Sequence, residues 1–288
     1  MKIKKGLITA AGDRSRGIPL QTLVDRDGAT RTVLAMLVNE ILSAGIEEIC
    51  VIVPPGEQEA YQRAVLEHLG RIHFVEQREL SGYAAAVWCA KDFLAREPFL
   101  HLVGDHVYIS TPGKSWAARL VEVAAAQECS VSAVQPTHES LISRFGVIGG
   151  SPVAGNSSLY KVDTVIEKPT PTQAEQRLIV AGLRAGYYLA FFGMHVFTPA
   201  VLGILEDQIQ TEPARASVSG ALDALGSRER YRAWQVSAHR YDLGPRYGLL
   251  NAQLALALSG RDRDEVLSSL VGLISAHDPG GKASAANE

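Results

Sequence analysis

The sequence predicts an α/β protein built on a doubly wound, mostly parallel sheet with an elaborated second half. Three observations carry that expectation. Short apolar runs alternate with stretches of helical periodicity through the first third of the chain. Most of those runs close in glycine, proline or a polar turn. Gly12, Gln77 and Asp105 all fall just past the ends of apolar runs, where sheets of this kind gather their ligands.

The first strand is read from Leu7 to Ala10. It passes through Ala11 and Gly12 into a basic loop, Asp13-Arg14-Ser15-Arg16-Gly17. Such a loop can offer backbone N–H groups and arginines to a phosphate, although a plain strand-to-loop turn explains these residues equally well. It is neither G-x-G-x-x-G nor G-x-x-x-x-G-K-[ST], so two common nucleotide fingerprints are absent there. Val33, Leu34, Leu37, Val38, Ile41 and Leu42 place a helix over Thr32 to Ala44, stopped at Gly45. A buried strand follows from Ile49 to Val53 and ends at Pro54-Pro55-Gly56. Tyr61, Ala64, Val65 and Leu69 share a helical face, and Phe74 to Glu76 form a short strand. Gly82 to Ala95 reads as a helix, and Phe99 to Val103 as a strand ending at Gly104-Asp105-His106.

The second half is less regular. Strands are expected over Ser130 to Gln135, Phe145 to Ile148, Leu159 to Glu167 and Tyr231 to Val236. A short helix is expected over Pro199 to Asp207. Another, with Pro245 as its first residue, runs to about Leu258. Phe191, Phe192 and Met194 read as core. There is no internal repeat and no convincing linker, so residues 1–275 are taken as one domain. The small, polar tail over 276–288 is expected to be disordered.

Size and composition narrow the function classes. The chain has 288 residues, 47% hydrophobic and 20% charged, with a net charge of −3. That balance gives no reason to expect nucleic acid or an anionic membrane as partner. Cys50, Cys89 and Cys129 are scattered and form no C-x-x-C pair, which suits free thiols in a reducing compartment. With no signal-peptide h-region and no membrane-length apolar run, a cytoplasmic protein is expected. The oligomeric state is left open.

Several residues could carry chemistry. Asp105 and Asp242 are carboxylates from distant positions, as a Mg²⁺ site shared with phosphate oxygens requires. A turn aspartate and a helix cap are the plainer readings of each. Glu167-Lys168-Pro169 could bind hydroxyls and a phosphate, or form a solvated pair before a proline turn. Gln77 offers a donor and an acceptor suited to a base edge, and Gly82 allows close backbone approach.

The order of these stretches is more informative than any one of them. Ala11-Gly12-Asp13-Arg14-Ser15-Arg16, Gln77 with Gly82, Gly104-Asp105, Phe145-Gly146-Val147, Glu167-Lys168-Pro169 and Asp242-Leu243-Gly244 follow one another. Leu23-Val24-Asp25 and Ala44-Gly45-Ile46-Glu47-Glu48-Ile49 fit the same series. The chain thereby resembles the sugar-1-phosphate nucleotidyltransferases, most closely the bacterial UTP–glucose-1-phosphate uridylyltransferases. The resemblance covers all but the tail.

It implies a Rossmann-like nucleotide-diphospho-sugar transferase fold and transfer of UMP from UTP to a sugar 1-phosphate, with release of pyrophosphate. Ala11, Gly12, Arg14, Gln77 and Gly82 would line the nucleotide, and Arg16 would stabilise the triphosphate. Asp105 and Asp242 would hold Mg²⁺, and with Arg16 would form the catalytic set. Gly146, Glu167 and Lys168 would face the sugar phosphate. Two departures stand out: Arg14 replaces the second glycine of the family's loop, and Leu20 follows Pro19 where the family carries lysine. They ground a second reading, a catalytically impaired nucleotide- or sugar-nucleotide-binding regulatory protein. A nicotinamide-dependent enzyme is a third and poorer reading, because Glu40 lies on the first helix rather than after a second strand.

Overall fold

The computed structural model describes residues 1–12, 17–78, 82–110 and 114–276. Arg14, Arg16 and the tail from His277 lie outside the described residues. The strands are β1 (Lys5–Thr9), β2 (Thr22–Val24), β3 (Thr30–Thr32), β4 (Glu48–Val53), β5 (Ile72–Glu76), β6 (Phe99–Val103), β7 (His106–Ile109), β8 (Ser130–His138), β9 (Gly146–Val153), β10 (Asn156–Glu167), β11 (Tyr187–Phe197), β12 (Tyr231–Gln235) and β13 (His239–Asp242). The helices are α1 (Val33–Ser43), α2 (Gln58–Arg63), α3 (Tyr83–Cys89), α4 (Lys91–Leu94), α5 (Trp116–Gln127), α6 (Pro171–Arg177), α7 (Ala200–Thr211), α8 (Val218–Arg228), α9 (Gly248–Ser259) and α10 (Arg263–Ala276).

A nine-stranded sheet runs in the order β5-β4-β1-β6-β11-β8-β12-β10-β9. β5, β4, β1 and β6 pair in parallel. Antiparallel pairing enters with β11, and only β10 and β11 run against the other strands of this sheet. Alternation along the strands sends side chains to cores on the two faces of the sheet, and a smaller cluster of Ile142, Val147, Ala174, Leu178, Tyr188 and Ala190 packs separately. Ile8, Val51, Leu100 and Val196 join α1 and α5 on one face. Leu7, Cys50, Phe99 and Phe197 join α3, α7 and α8 on the other. Phe191, Phe192 and Met194 are buried, as expected of core residues.

Local chemistry explains the element ends. The Thr32 hydroxyl accepts from Ala35 N at 3.1 Å to cap α1, and Gly45 ends the helix at φ +78°. Glu40 accepts from Ala117 N at 2.9 Å, so this half-buried carboxylate is committed to the start of α5.

Three expected elements are corrected. The helix through Tyr61 breaks after Arg63 into a 3₁₀ turn, leaving Leu69 exposed. The helix over Gly82–Ala95 is two pieces joined at Ala90. Pro245 is not the first residue of α9: it sits in the preceding loop, its carbonyl accepts from Gly248 N, and the helix begins at Gly248 after Tyr247. Among the described residues no helix is long and apolar enough to cross a membrane.

Candidate active site

The parallel half of the sheet sets out the first bank of the site. Ala11 and Gly12 leave the carboxyl end of β1, Gln77 that of β5 and Gly104-Asp105 that of β6. A Cβ on Gly104 would lie 2.6 Å from Thr9 O and 3.0 Å from Ala10 Cα, so only glycine lets β6 end against β1. Gln77 is buried and donates from Nε2 to Gly82 O at 3.0 Å, tying the following loop back to the strand end. Gly82 has φ +99° with open space where a Cβ would stand, so its requirement is conformational rather than one of close packing. Exposed Tyr83 follows, its hydroxyl 3.4 Å from His101 Nδ1.

Asp105 and Asp242 meet through a separate ribbon. β7 pairs with β13, which puts His106 opposite Asp242, and Leu243 N donates to Asp105 O at 2.9 Å. One ligand atom from each of Asp105, His106 and Asp242 lies within 4.8 Å of the others. His106 Nδ1 is 2.8 Å from Asp105 Oδ1. Burial opposes the charged form of Asp105, yet the His106 hydrogen bond and the charges of His106 and Arg240 together hold its carboxyl below the usual range. Two close carboxylates, one of them held ionised, form a donor set that fits a hard divalent cation. Asp242 is neither a helix cap nor the start of α9. Its Oδ1 accepts from Gly244 N at 3.0 Å in a local turn.

The opposite bank is antiparallel. Gly146 of β9 pairs in register with Glu167 of β10. A Cβ on Gly146 would fall 2.6 Å from Phe191 Cδ2 and 2.7 Å from Ser219 Oγ. Ser219, buried in the first turn of α8, donates to Glu167 Oε2 at 2.6 Å. Glu167 Oε1 stands 3.7 Å from Lys168 Nζ, and both side chains are solvent-accessible. Lys168 adopts φ +49°, rare for a residue with a side chain, while its N–H donates to Phe145 O at 2.9 Å. The proline turn expected after Lys168 is the start of α6, capped by Thr170 and opened by Pro171.

Arg240 joins the banks. Its guanidinium lies 4.0 Å over the Phe145 ring and donates to Phe191 O. Burial lowers its pKa to about 10, which leaves it cationic at neutral pH, within electrostatic reach of Asp105 and Asp242. Arg26 and Arg31, by contrast, are engaged elsewhere. Arg26 Nη1 donates to Ser110 O at 2.6 Å, and Arg31 Nε to Asp25 Oδ2 at 2.7 Å. Leu20 packs on the core below α1.

The structure thus brings together Asp105 with Asp242, Gln77 with Gly82, and Gly146 with Glu167 and Lys168. Arg14 and Arg16 are expectations on residues outside those described. His106, Arg240, Tyr83 and Ser219 were not anticipated. Arg240 had a signal, since positions two apart on a strand share a face and Asp242 was already a candidate. Ser219 had none.

Comparison with known proteins bears on the family and the fold. The nucleotidyl transferase family profile matches residues 15–257. The UTP–glucose-1-phosphate uridylyltransferase of Bacillus subtilis is 26% identical over 96% of this chain and 99% of its own. A protein of the same name from Staphylococcus epidermidis is 28% identical over 94% of this chain and 98% of its own. Among solved structures, a UDP-glucose pyrophosphorylase complexed with UDP-glucose superposes with a TM-score of 0.72 at 22% identity, over 88% of this chain and 98% of that one. A UTP-bound UGPase from Acinetobacter baumannii gives 0.72 at 18% identity, over 94% and 99%.

Proposed function

This chain belongs to the nucleotidyl transferase family, and we propose that it transfers a uridylyl group from UTP to glucose 1-phosphate. The observation that carries the reading is the β7–β13 pairing, which sets two carboxylates from distant chain positions at the carboxyl edge of the parallel strands. The names of the full-length relatives supply the substrate class.

In the proposed reaction a phosphate oxygen of the sugar phosphate forms a bond to the α-phosphorus of UTP. The bond from that phosphorus to the bridging oxygen breaks, and pyrophosphate leaves with the electron pair. Positioning and charge neutralisation account for most of such catalysis. Asp105 and Asp242 would hold a divalent cation, expected from the resemblance to be Mg²⁺, which when bound neutralises phosphate oxygens. Gln77 and the Gly82 backbone would read the uracil, and Ala11 and Gly12 would pass beneath the nucleotide. Arg14 and Arg16 would meet the triphosphate. Glu167, fixed by Ser219, would accept sugar hydroxyls, while Lys168 would meet the sugar's phosphate and Gly146 leave room for it. Arg240 adds a buried positive charge between the banks, useful in a chain with Leu20 at the lysine position.

Pyrophosphate release from UTP and glucose 1-phosphate tests the reading. Asp105→Ala is expected to cut the rate at least about a hundredfold, the scale of one lost electrostatic element. Purified protein that binds UTP but releases no pyrophosphate with any common triphosphate and sugar phosphate would instead be a nucleotide-binding protein.

A further inference from the structure

We propose that His106 is a nitrogen ligand of the cation held by Asp105 and Asp242, giving a mixed nitrogen–oxygen site that favours Mn²⁺ or Co²⁺ over Mg²⁺. The inference rests on the reading of the carboxylate pair given above and goes beyond it in donor set and in metal class.

The geometry is close to what coordination needs. In an octahedral shell with bonds of about 2.1 Å, neighbouring donors lie about 3.0 Å apart and opposite ones about 4.2 Å apart. His106 Nδ1 and Asp105 Oδ1 are 2.8 Å apart, nearly an octahedral edge, and the three residues' ligand atoms all fall within 4.8 Å of one another. A cation between Nδ1 and the two carboxylates therefore requires shifts of well under an ångström along that edge. The backbone already fixes the trio, because His106 opens β7 directly opposite Asp242 in β13.

The surroundings of the ring point the same way. His106 is 9% exposed, and its Nε2 is buried with no hydrogen-bond partner among the described residues. Its polar contact among the described residues is at Nδ1, on the carboxylate side. Ligation through Nδ1 would place the ring proton on Nε2.

Metal preference follows from the donors. Mg²⁺ favours an all-oxygen shell with several waters, whereas imidazole suits later first-row ions and Mn²⁺ accepts both donor types. The coordination positions the three side chains do not fill stay open to water and phosphate oxygens.

The test uses the full chain with Mn²⁺ alone. Three-pulse electron spin-echo modulation is expected to show ¹⁴N coupling in the wild type, converted to ¹⁵N coupling by labelling with [¹⁵N]histidine and lost in His106→Ala. Titrations followed by electron paramagnetic resonance, with Mg²⁺ as competitor, are expected to show Mn²⁺ affinity falling at least about tenfold in that variant, with the Mn²⁺-over-Mg²⁺ preference falling too. Absence of histidine nitrogen coupling in the wild type, its survival in His106→Ala, or equal weakening toward both metals would overturn the proposal. Equal weakening is what a histidine that only orients Asp105 would give. The labelled wild type keeps the test decisive even if the variant fails to fold. Asp105→Asn separates the two layers: bound Mn²⁺ that ignores this substitution would remove the carboxylate reading itself.

Discussion

The bank at the ends of β1, β5 and β6 is made mostly of backbone. Gly82 and Gly104 shape it, and Gln77 spends an amide donor on holding a loop rather than on reaching outward. The bank at β9, β10 and α8 is made of side chains: Ser219 holding Glu167, Glu167 beside solvent-accessible Lys168, and Lys168 on an uncommon backbone conformation. On the proposed reading the two banks would have different ligand tasks. A backbone edge can follow a long polyanion and a flat base, whereas a fixed carboxylate and a compact ammonium can discriminate a small hydroxylated ring. If so, substitutions on the second bank should act mainly on the sugar phosphate, and only the ribbon between the banks should act on both substrates alike.

The largest effect is expected from that ribbon. Asp242→Asn should lower kcat/KM by about a hundredfold or more, with both substrates affected, as read by pyrophosphate release. An effect confined to one substrate would break the view of Asp242 as shared. Gly146→Ala comes next. The new methyl meets Phe191 and Ser219 below 3 Å, so overpacking should cost about 1–3 kcal/mol in urea unfolding and raise KM for the sugar phosphate more than for UTP. Ser219→Ala is gentler. Losing one hydrogen bond to a charged group should cost about tenfold in sugar-phosphate KM and leave the KM for UTP within about twofold. Equal change in both would mean that Ser219 serves the fold instead.

The effect with the least reach into activity is one on acid stability, and it concerns the row that ties the two halves of the sheet. His101 pairs in register with His195, and His195 with Ser132, whose hydroxyl meets His195 Nδ1 at 2.7 Å and Tyr231 at 2.6 Å. Burial lowers the His101 pKa from 6.5 to about 3, and His195 shifts the same way. The unfolded chain therefore takes up protons that the native state refuses. Stability should be full above pH 6.5 and fall toward pH 3, each such histidine contributing a slope of at most about 1.4 kcal/mol per pH unit. His101→Gln should flatten that slope in acid denaturation; an unchanged slope would place the acid sensitivity elsewhere.

Much of the first bank was legible because its signals are local. The apolar runs at Leu7–Ala10, Ile49–Val53 and Phe99–Val103 each became a strand, and the turn residues past two of them, Gly12 and Asp105, mark positions at one sheet edge. The second bank was legible only in pieces. Gly146 and Glu167 could be named, but their pairing depends on the register of β9 and β10, and β11, the strand behind them, carries Gly193 and His195 among its apolar residues. Pro245 misled because a proline compatible with a helix start is equally compatible with the loop before one.

Sequence by itself determined the parallel half, the order of the candidate motifs and the family they belong to, since strand, turn and spacing are written in neighbouring residues. Only the tertiary structure decided that Asp105, His106 and Asp242 share one corner, that Arg240 lies between the banks, and that Ser219 holds Glu167. Those contacts join residues far apart in the chain, through strand register and helix packing. Their geometry is set by the cooperative burial of the two cores, which no local stretch of residues encodes.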